Sequence, residues 1–423
     1  MEPGIDVMLG RGKGCGVANS ATGTTTVAYS YRIFNSIEHV DATEWQRVRS
    51  ACDGSIVMDP RFIAAVEASM KQVCKFWYIV IYDEDGAPVA CTSASAITAD
   101  LVDVADPGLA QIIRHVPLLF SWLRHLKIII CGLPIGGHHT LGVAKRAASP
   151  QILPVLDTVL CDLATEANAD AILYKEFEKG DLEWTAPLLA LGYRRIPTPP
   201  THYFRPLFDD FAQYCAALKK HYRKQINRSR RKLNHPGLDL IVVTDPKEIV
   251  RAYTSEVHSL YHQMADRAAI RLEVLPIEFL HQAALRLDGQ IELIVIRKDA
   301  RIVAFACCLH AQSTYYTMYG GLDYRLNDEF DLYFNLVYAL LDRGLQKRVS
   351  IIVFGIGADA VKSRIGCYSE RLYVFAKGRG PLMSLIIRAA GNFLIAQKPA
   401  TTRFNIFKNK SPQDSRESGQ STT

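Results

Sequence analysis

The chain is poor in the usual marks of an oxidising framework, a membrane span or a covalent nucleophile. Its ten cysteines form no Cys-x-x-Cys pair and no repeated spacing. They read as reduced core thiols in a cytoplasmic protein, not as a disulfide or zinc framework. No Gly-x-Ser-x-Gly occurs, and Cys307-Cys308 falls inside a predicted strand, so neither a serine nor a cysteine nucleophile is supported. The first residues are Gly-rich without an apolar stretch, so no secretory signal is expected. The most lipid-like segment, Val116 to Leu133, holds Arg124, His125 and Lys127 and is too short and too charged to span a bilayer. His138-His139 has no Cys or acid at ligand spacing, and adjacent histidines rarely share a metal, so no metal site is expected.

What is present is a mixed α/β pattern. A length of 423 residues exceeds one ordinary core and predicts two domains. Hydrophobic content of 49% with 22% charge is that of a soluble globular chain. Residues 1–26 lack periodicity and read as a disordered leader; Gly10, Gly12, Gly14 and Gly16 alternate there with no apolar strand before them. A first domain is expected over 27–205. It has helices at 42–51 and 60–72, a hairpin of strands 76–82 and 89–97, a helix at 109–123 and a strand at 127–131. A helix at 150–168, a strand at 171–177, a helix at 182–191 and a closing strand at 201–205 follow. The second domain, 206–407, repeats that order. Strand 238–243, helices 247–267 and 276–287, and the hairpin 291–297 with 302–310 lead to strand 313–319, helix 329–344 and strand 350–354. A helix at 381–397 and a disordered tail at 408–423 end the chain.

Two local features point to chemistry. After the buried strand 350–354 come Gly355 and Gly357, then Lys362, Arg364 and Gly366. Glycines where a chain leaves a sheet, with fixed cations behind them, suit an anionic ligand or a developing negative charge. Gly355-x-Gly357-x-x-Ala360 also fits a dinucleotide fingerprint. A Rossmann unit needs an acid at the tip of its next strand, and that strand ends in Ala376-Lys377-Gly378. The second feature is the helix expected over 216–233. Eight of its residues are cations (Lys219, Lys220, Arg223, Lys224, Arg228, Arg230, Arg231 and Lys232), with no acid between them, more than the net charge of +6. Arg223 and Lys224 are candidates to bind tRNA, a nucleotide-bearing substrate or an anionic lipid surface.

The segment Tyr319-Gly320-Gly321-Leu322-Asp323, the helix holding Tyr333, and Phe354-x-x-Gly357 with Lys362 and Gly366 resemble the C-terminal half of the Fem-type peptidyltransferases and the acetyltransferases related to them. Both groups are built on tandem GNAT domains. Phe208-Asp209-Asp210 leading into the basic helix resembles the family's junction. The first half is similar only in element order and in short pieces such as Cys131-Gly132-Leu133-Pro134.

The resemblance implies two GNAT-like α/β domains and transfer of an acyl or aminoacyl group to an amine on a small molecule or peptide. The donor would be acyl-CoA, an acyl carrier protein thioester or aminoacyl-tRNA, a co-substrate and not a bound cofactor. A non-catalytic module of the same fold, binding nucleic acid or anionic lipid through its basic helix, is the alternative. The GNAT pyrophosphate signature, Arg/Gln-x-x-Gly-x-Gly/Ala, is missing after strand 313–319, where the chain runs Gly320-Gly321-Leu322-Asp323. In this reading Lys362 steadies a phosphate or the carbonyl under attack, and Asp323 orients the amine and passes on its proton. Tyr319 joins these two as catalytic, and Tyr333, Arg364, Gly320, Gly321, Gly355 and Gly357 line the substrate.

Overall fold

Asp41, Asp59 and Asp245 each open a helix, and two of them stand directly before a proline. Asp41 accepts from Thr43 N at 2.7 Å, Asp59 from Arg61 N at 2.9 Å, and Asp245 from Glu248 N at 2.9 Å. Pro60 and Pro246 fall in the first turn, where a missing N–H leaves nothing unsatisfied. Each such cap contributes about 1 kcal/mol.

The computed structural model describes residues 8–12, 29–52, 55–100, 125–135, 140–267, 274–396 and 404–408. Most of the leader, the helix expected at 109–123, the turn Gly136-Gly137-His138-His139 and the tail after Lys408 lie outside these. Met8–Gly12, inside the expected leader, is a strand (β1) paired with Tyr29–Phe34 (β2). There follow helices Ala42–Ala51 (α1) and Pro60–Met70 (α2), and strands Lys75–Tyr82 (β3), Pro88–Ala99 (β4), Leu126–Cys131 (β5) and Leu141–Val143 (β6). Helix Ser149–Glu166 (α3), strand Ala171–Phe177 (β7), helix Pro187–Ala190 (α4) and strand Arg194–Phe204 (β8) come next. The basic region is two helices, Phe211–Ala217 (α5) and Lys220–Lys232 (α6), in place of the one expected over 216–233. Strand Leu238–Val243 (β9) leads to Pro246–Ala252 (α7), Ser255–Ala265 (α8) and Ile277–Arg286 (α9). Strands Ile291–Lys298 (β10), Arg301–Ala311 (β11) and Thr314–Leu322 (β12), helices Tyr324–Phe330 (α10) and Leu332–Gln346 (α11), strand Ile351–Ile356 (β13), helix Asp359–Arg364 (α12), strand Tyr368–Gly378 (β14) and helix Pro381–Ala396 (α13) complete the described chain.

These elements form two compact units, which are not the contiguous halves expected. Unit 1 comprises Met1–Thr198, Ala269–Gln282 and Arg371–Lys398; unit 2 comprises Pro199–Ala268, Ala283–Glu370 and Pro399–Thr423. In unit 1 the sheet runs β2-β3-β4-β5 antiparallel, steps to β7 in parallel, and continues to the Tyr373–Gly378 part of β14, antiparallel to β7. In unit 2 the same pattern recurs as β9-β10-β11-β12 antiparallel, a parallel step to β13, and then Thr201–Phe204 of β8, antiparallel to β13. The repeat of element order is therefore real, but the closing strands are exchanged. Residues 201–205, expected to close the first domain, pair in unit 2, and unit 1 is closed from the end of the chain.

Each unit has its own core. In unit 1, Trp77, Ile79, Ile129, Leu156, Tyr174 and Phe375 are buried together. In unit 2 the cluster includes Phe204, Tyr214, Ile294, Tyr315, Leu341 and Ile352. β3 and β10 are buried along nearly their whole length, which explains their unbroken apolar sequences.

Candidate active site

The sheet of unit 2 opens at its one parallel step. β12 and β13 pair over three residues, Thr314↔Ile351, Tyr315↔Ile352 and Tyr316↔Val353. Pairing stops there, although β12 continues to Leu322 and β13 to Ile356. A bulge on each strand marks the place. Cys308 pairs with Thr317 and Cys307 with Tyr319, so Met318 is an extra residue on β12. Val353 pairs with Tyr203 and Gly355 with His202, so Phe354 is an extra residue on β13. A bulge bends its strand and ends regular pairing, and two of them on neighbouring parallel strands leave a gap with strand edges on both sides. Thr317 follows the last paired residue of β12, Tyr316, and its hydroxyl is buried with no hydrogen-bond partner among the described residues. Such a group costs about 1–3 kcal/mol unless something satisfies it.

On the β13 side the chain leaves the sheet through Gly355 (φ 70°), Gly357 (φ 80°) and Ala358 (φ 52°). A Cβ at either glycine would meet nothing within 4 Å, so open space faces the loop. Lys362 lies on α12, not in a loop, and points inward. It is 5% exposed, and its Nζ donates to the carbonyls of Gly355 and Ile356, each at 2.9 Å. Burial pulls its pKa down to about 8. His202 sits beneath the same loop, its Nδ1 3.3 Å from the Gly355 carbonyl and its Nε2 3.6 Å from Asp359. Burial first, and Lys362 second, hold this imidazole below its usual value, so it is neutral at pH 7. The end of α12 is clamped by Tyr214, whose hydroxyl donates to Ile365 O at 3.0 Å. At Gly366 (φ 93°) a Cβ would come within 3.0 Å of Ile406 and Phe407.

On the β12 side the structure reassigns several residues. Gly320 and Gly321 do not form a turn; they continue the ladder opposite Ala306 and Phe305. A Cβ on Gly321 would lie 2.4 Å from the Leu260 carbonyl carbon and 2.5 Å from Tyr261 N, and one on Gly320 would lie 2.7 Å from Phe305 O. These glycines admit helix α8 and strand β11 at backbone distance, which replaces the substrate-lining role expected of them. Asp323 caps α10, accepting from Arg325 N at 3.1 Å, and its two oxygens take Arg325 Nε at 3.0 Å and the terminal nitrogen at 2.8 Å. The Arg325 hydrogen bond holds its carboxyl below the usual range, so it is a weak base, which removes the reason for giving it the proton-transfer role.

Tyr319 is ringed by Tyr261, Phe305 and Tyr253, with centroids at 5.1, 6.2 and 6.4 Å, and burial pushes its phenol far up. It stays protonated. Tyr333 is half-buried against the core of unit 2, its phenol pushed up to about 12 by burial. Arg364 is exposed and lies over the Phe404 ring at 5.6 Å.

The basic helix α6 buries Ile226 and presents its cations outward. Arg230 reaches Asp342 at 4.0 Å and lies over Phe211, and Lys232 binds Asp331 at 2.8 Å. Among the described residues no carboxylate lies within 4.0 Å of Lys220, Arg223, Lys224, Arg228 or Arg231. Lys224, Arg228, Arg230 and Arg231 line an open groove of about 850 Å³.

Residues 220–363, which run from this helix to the cation under the glycine loop, match the family model described as an acetyltransferase (GNAT) domain. Unit 2 is similar to that domain. No curated protein matches the sequence. The structure is similar to the crystal structure of FemX at a TM-score of 0.52 and 12% identity, covering 83% of this chain and 98% of that one. At this identity the likeness is one of fold: the chain is a mixed α/β protein of GNAT-like architecture. Further similar structures are L-PGS from Bacillus licheniformis (TM-score 0.48, 10% identity, 85% and 98% covered) and a tandem GNAT protein from the clavulanic acid biosynthesis pathway (0.48, 11%, 84% and 99%).

Thr317, His202, Asp359 and the bulges at Met318 and Phe354 escaped the sequence reading. His202 and Asp359 are 157 positions apart, and no local pattern links them. The bulges left no residue-type signal. Asp359 did stand in the Gly-x-Gly-x-x-Ala match, where the following helix proves to be only six residues long.

Among the described residues no group of His, Cys, Asp and Glu could hold a metal, and no helix is long and apolar enough to cross a membrane.

Proposed function

We propose that unit 2 is an amide-forming N-acyltransferase. It takes an acyl or aminoacyl group from acyl-CoA, an acyl carrier protein or aminoacyl-tRNA and passes it to an amine on a small molecule or peptide. The observation that carries this reading is the opened step between β12 and β13, in the segment that matches the acetyltransferase model. Unpaired strand edges suit an extended, amide-bearing donor arm, which can add to them as another strand would.

In this reading the donor carbonyl lies at the glycine loop. The amine enters as its free base, because Asp323 is too weak a base to deprotonate it. Nitrogen attacks the carbonyl carbon, the C–N bond forms, and the C–S or C–O bond to the leaving group breaks. The nitrogen proton goes to solvent or to the leaving group. The Lys362 ammonium uses two of its three protons to hold the Gly355 and Ile356 carbonyls. It fixes the loop and places a positive charge where the oxyanion develops, and loss of one such donor costs about 10²–10³ in rate. His202 and Asp359 position the loop from below.

The test is to incubate the pure protein with labelled acyl-CoA, acyl carrier protein thioesters or charged tRNA and a mixture of amines, and to look for amide. Amide from one donor class supports the proposal; none from any donor contradicts it. A second reading, a non-catalytic module holding tRNA or an anionic lipid surface, is favoured by the cations of α6 that meet no carboxylate among the described residues. It predicts tight, salt-dependent binding without product.

A further inference from the structure

Helix α12 carries Lys362 but has little of its own to hold it in place. It is six residues long, and Ala358 before it supplies no side-chain cap. A helix this short is not stable alone, so its placement comes from what packs against it. Its far end meets residues 404–408. A Cβ on Gly366 would come 3.0 Å from Ile406 Cδ1 and 3.0 Å from Phe407 Cζ, so the backbone after α12 lies flat against these two side chains. Ile406 is 1% exposed and shares the core of unit 2 with Ile365 and Cys367, the residues on either side of that glycine. The backbone N–H groups of Ile365 and Cys367 both donate to Lys362 O, at 3.2 and 3.1 Å, so what fixes this turn also fixes the lysine.

Residues 404–408 are themselves anchored, at the junction of α5 and α6. Phe407 bridges Leu218 in the antiparallel sense. Lys219 N donates to Ile406 O at 2.8 Å, and Lys408 N donates to Ala217 O at 3.0 Å. Lys408 Nζ donates to Ala216 O at 2.7 Å and so satisfies a carbonyl at the end of α5. The Phe407 ring lies 5.6 Å from Phe208 and 6.2 Å from Tyr214, the tyrosine whose hydroxyl holds Ile365 O. The segment therefore has a backbone anchor on one side and the end of α12 on the other.

We infer that Ile406 and Phe407 are positioning residues for Lys362: they hold the end of α12 so that the ammonium stays under the Gly355 and Ile356 carbonyls. Loss of either side chain leaves a hollow beside Gly366, into which α12 can shift. The shift draws Lys362 away from its two carbonyls and lets water reach it. The catalytic meaning of this role rests on the acyl-transfer reading. The placement of Lys362 does not, and it is measured without turnover.

The test follows the titration of Lys362 by NMR in the full chain labelled with carbon-13 at lysine Cε, the signal being the one that Lys362→Met lacks. The variants are Ile406→Ala, Phe407→Ala and Phe407→Leu. The last keeps an apolar body and the backbone bonds, so it should fold even where the other two do not. Ile294→Ala, in the same core but on β10, is the control for lost stability alone. The titratable groups facing Lys362 are Asp359, Cys367 and His202, and no variant alters them. The wild-type midpoint is expected at about 8. It should rise by about 1 unit or more towards the ordinary lysine value in the two alanine variants, and by less in Phe407→Leu, with the control unchanged. A midpoint unmoved in every folded variant, or moved equally by the control, overturns the role. Where a donor gives amide, Phe407→Ala should lower kcat more than it raises KM. Absence of amide from the wild type would remove the transfer reading and leave the midpoints to decide this one.

Discussion

Glu292 shows how much a single residue can carry in this fold. It is buried in β10, and both its oxygens are held, by Arg343 at 2.9 and 2.8 Å and by Lys347 at 2.6 Å. Burial pulls its carboxyl up, but these hydrogen bonds outweigh that and leave it below its ordinary value. A depressed folded pKa means stability that is present above the unfolded value of 4.5 and is lost as pH falls through the folded one. Glu292→Gln should cost about 3–5 kcal/mol at pH 7, because it strands two cations. It should also flatten the acid limb of stability against pH. Urea denaturation from pH 7 to pH 3 checks both, and wild-type curves would refute them.

Lys362 runs the other way. Its folded pKa is about 8 against 10.5, so between those values the unfolded chain binds more protons and stability rises with pH. The rise is at most ~3 kcal/mol. Lys362→Met should abolish it, which the same denaturation series run to pH 10.5 would show.

At the scale of elements, glycine placement decides what can pack. Gly321→Ala puts a Cβ against the backbone of α8, which cannot yield as a side-chain tip would. It should cost about 3 kcal/mol or more, read by thermal or urea unfolding; a loss under 1 kcal/mol would mean that α8 shifts freely. The hairpins 75–99 and 291–311 were legible, because runs of apolar residues and the turns Asp83–Gly86 and Asp299-Ala300 are local signals. The helix expected over 247–267 is two helices, broken at Tyr253 and Thr254, where Thr254 caps the second through Val257 N. Helix 329–344 likewise divides at Asp331 (φ 49°). What could not be read was long-range: which strand closes which sheet, and where a bulge ends a ladder. The lysine of the site was legible as a cation near glycines. Its inward direction was not, because that depends on the carbonyls it holds.

For the whole molecule, the eight cations of residues 219–232 outweigh a net charge of +6, and most of them have no acid beside them among the described residues. If tRNA is the donor, it should bind with a steep salt dependence. Reversing Arg223 and Lys224 together should reduce the slope of log K against log salt by about 2. An unchanged slope would return the helix to the status of a solvated face.

In the function proposed here, transfer takes place at the loop that Lys362 supports. The direct measurement is the single-turnover rate of amide formation at pH 7 by Lys362→Met, with the donor that serves the wild type and with folding verified by circular dichroism. The expected result is a folded protein whose rate is lower by about 10²-fold or more. A folded variant with the wild-type rate would contradict it.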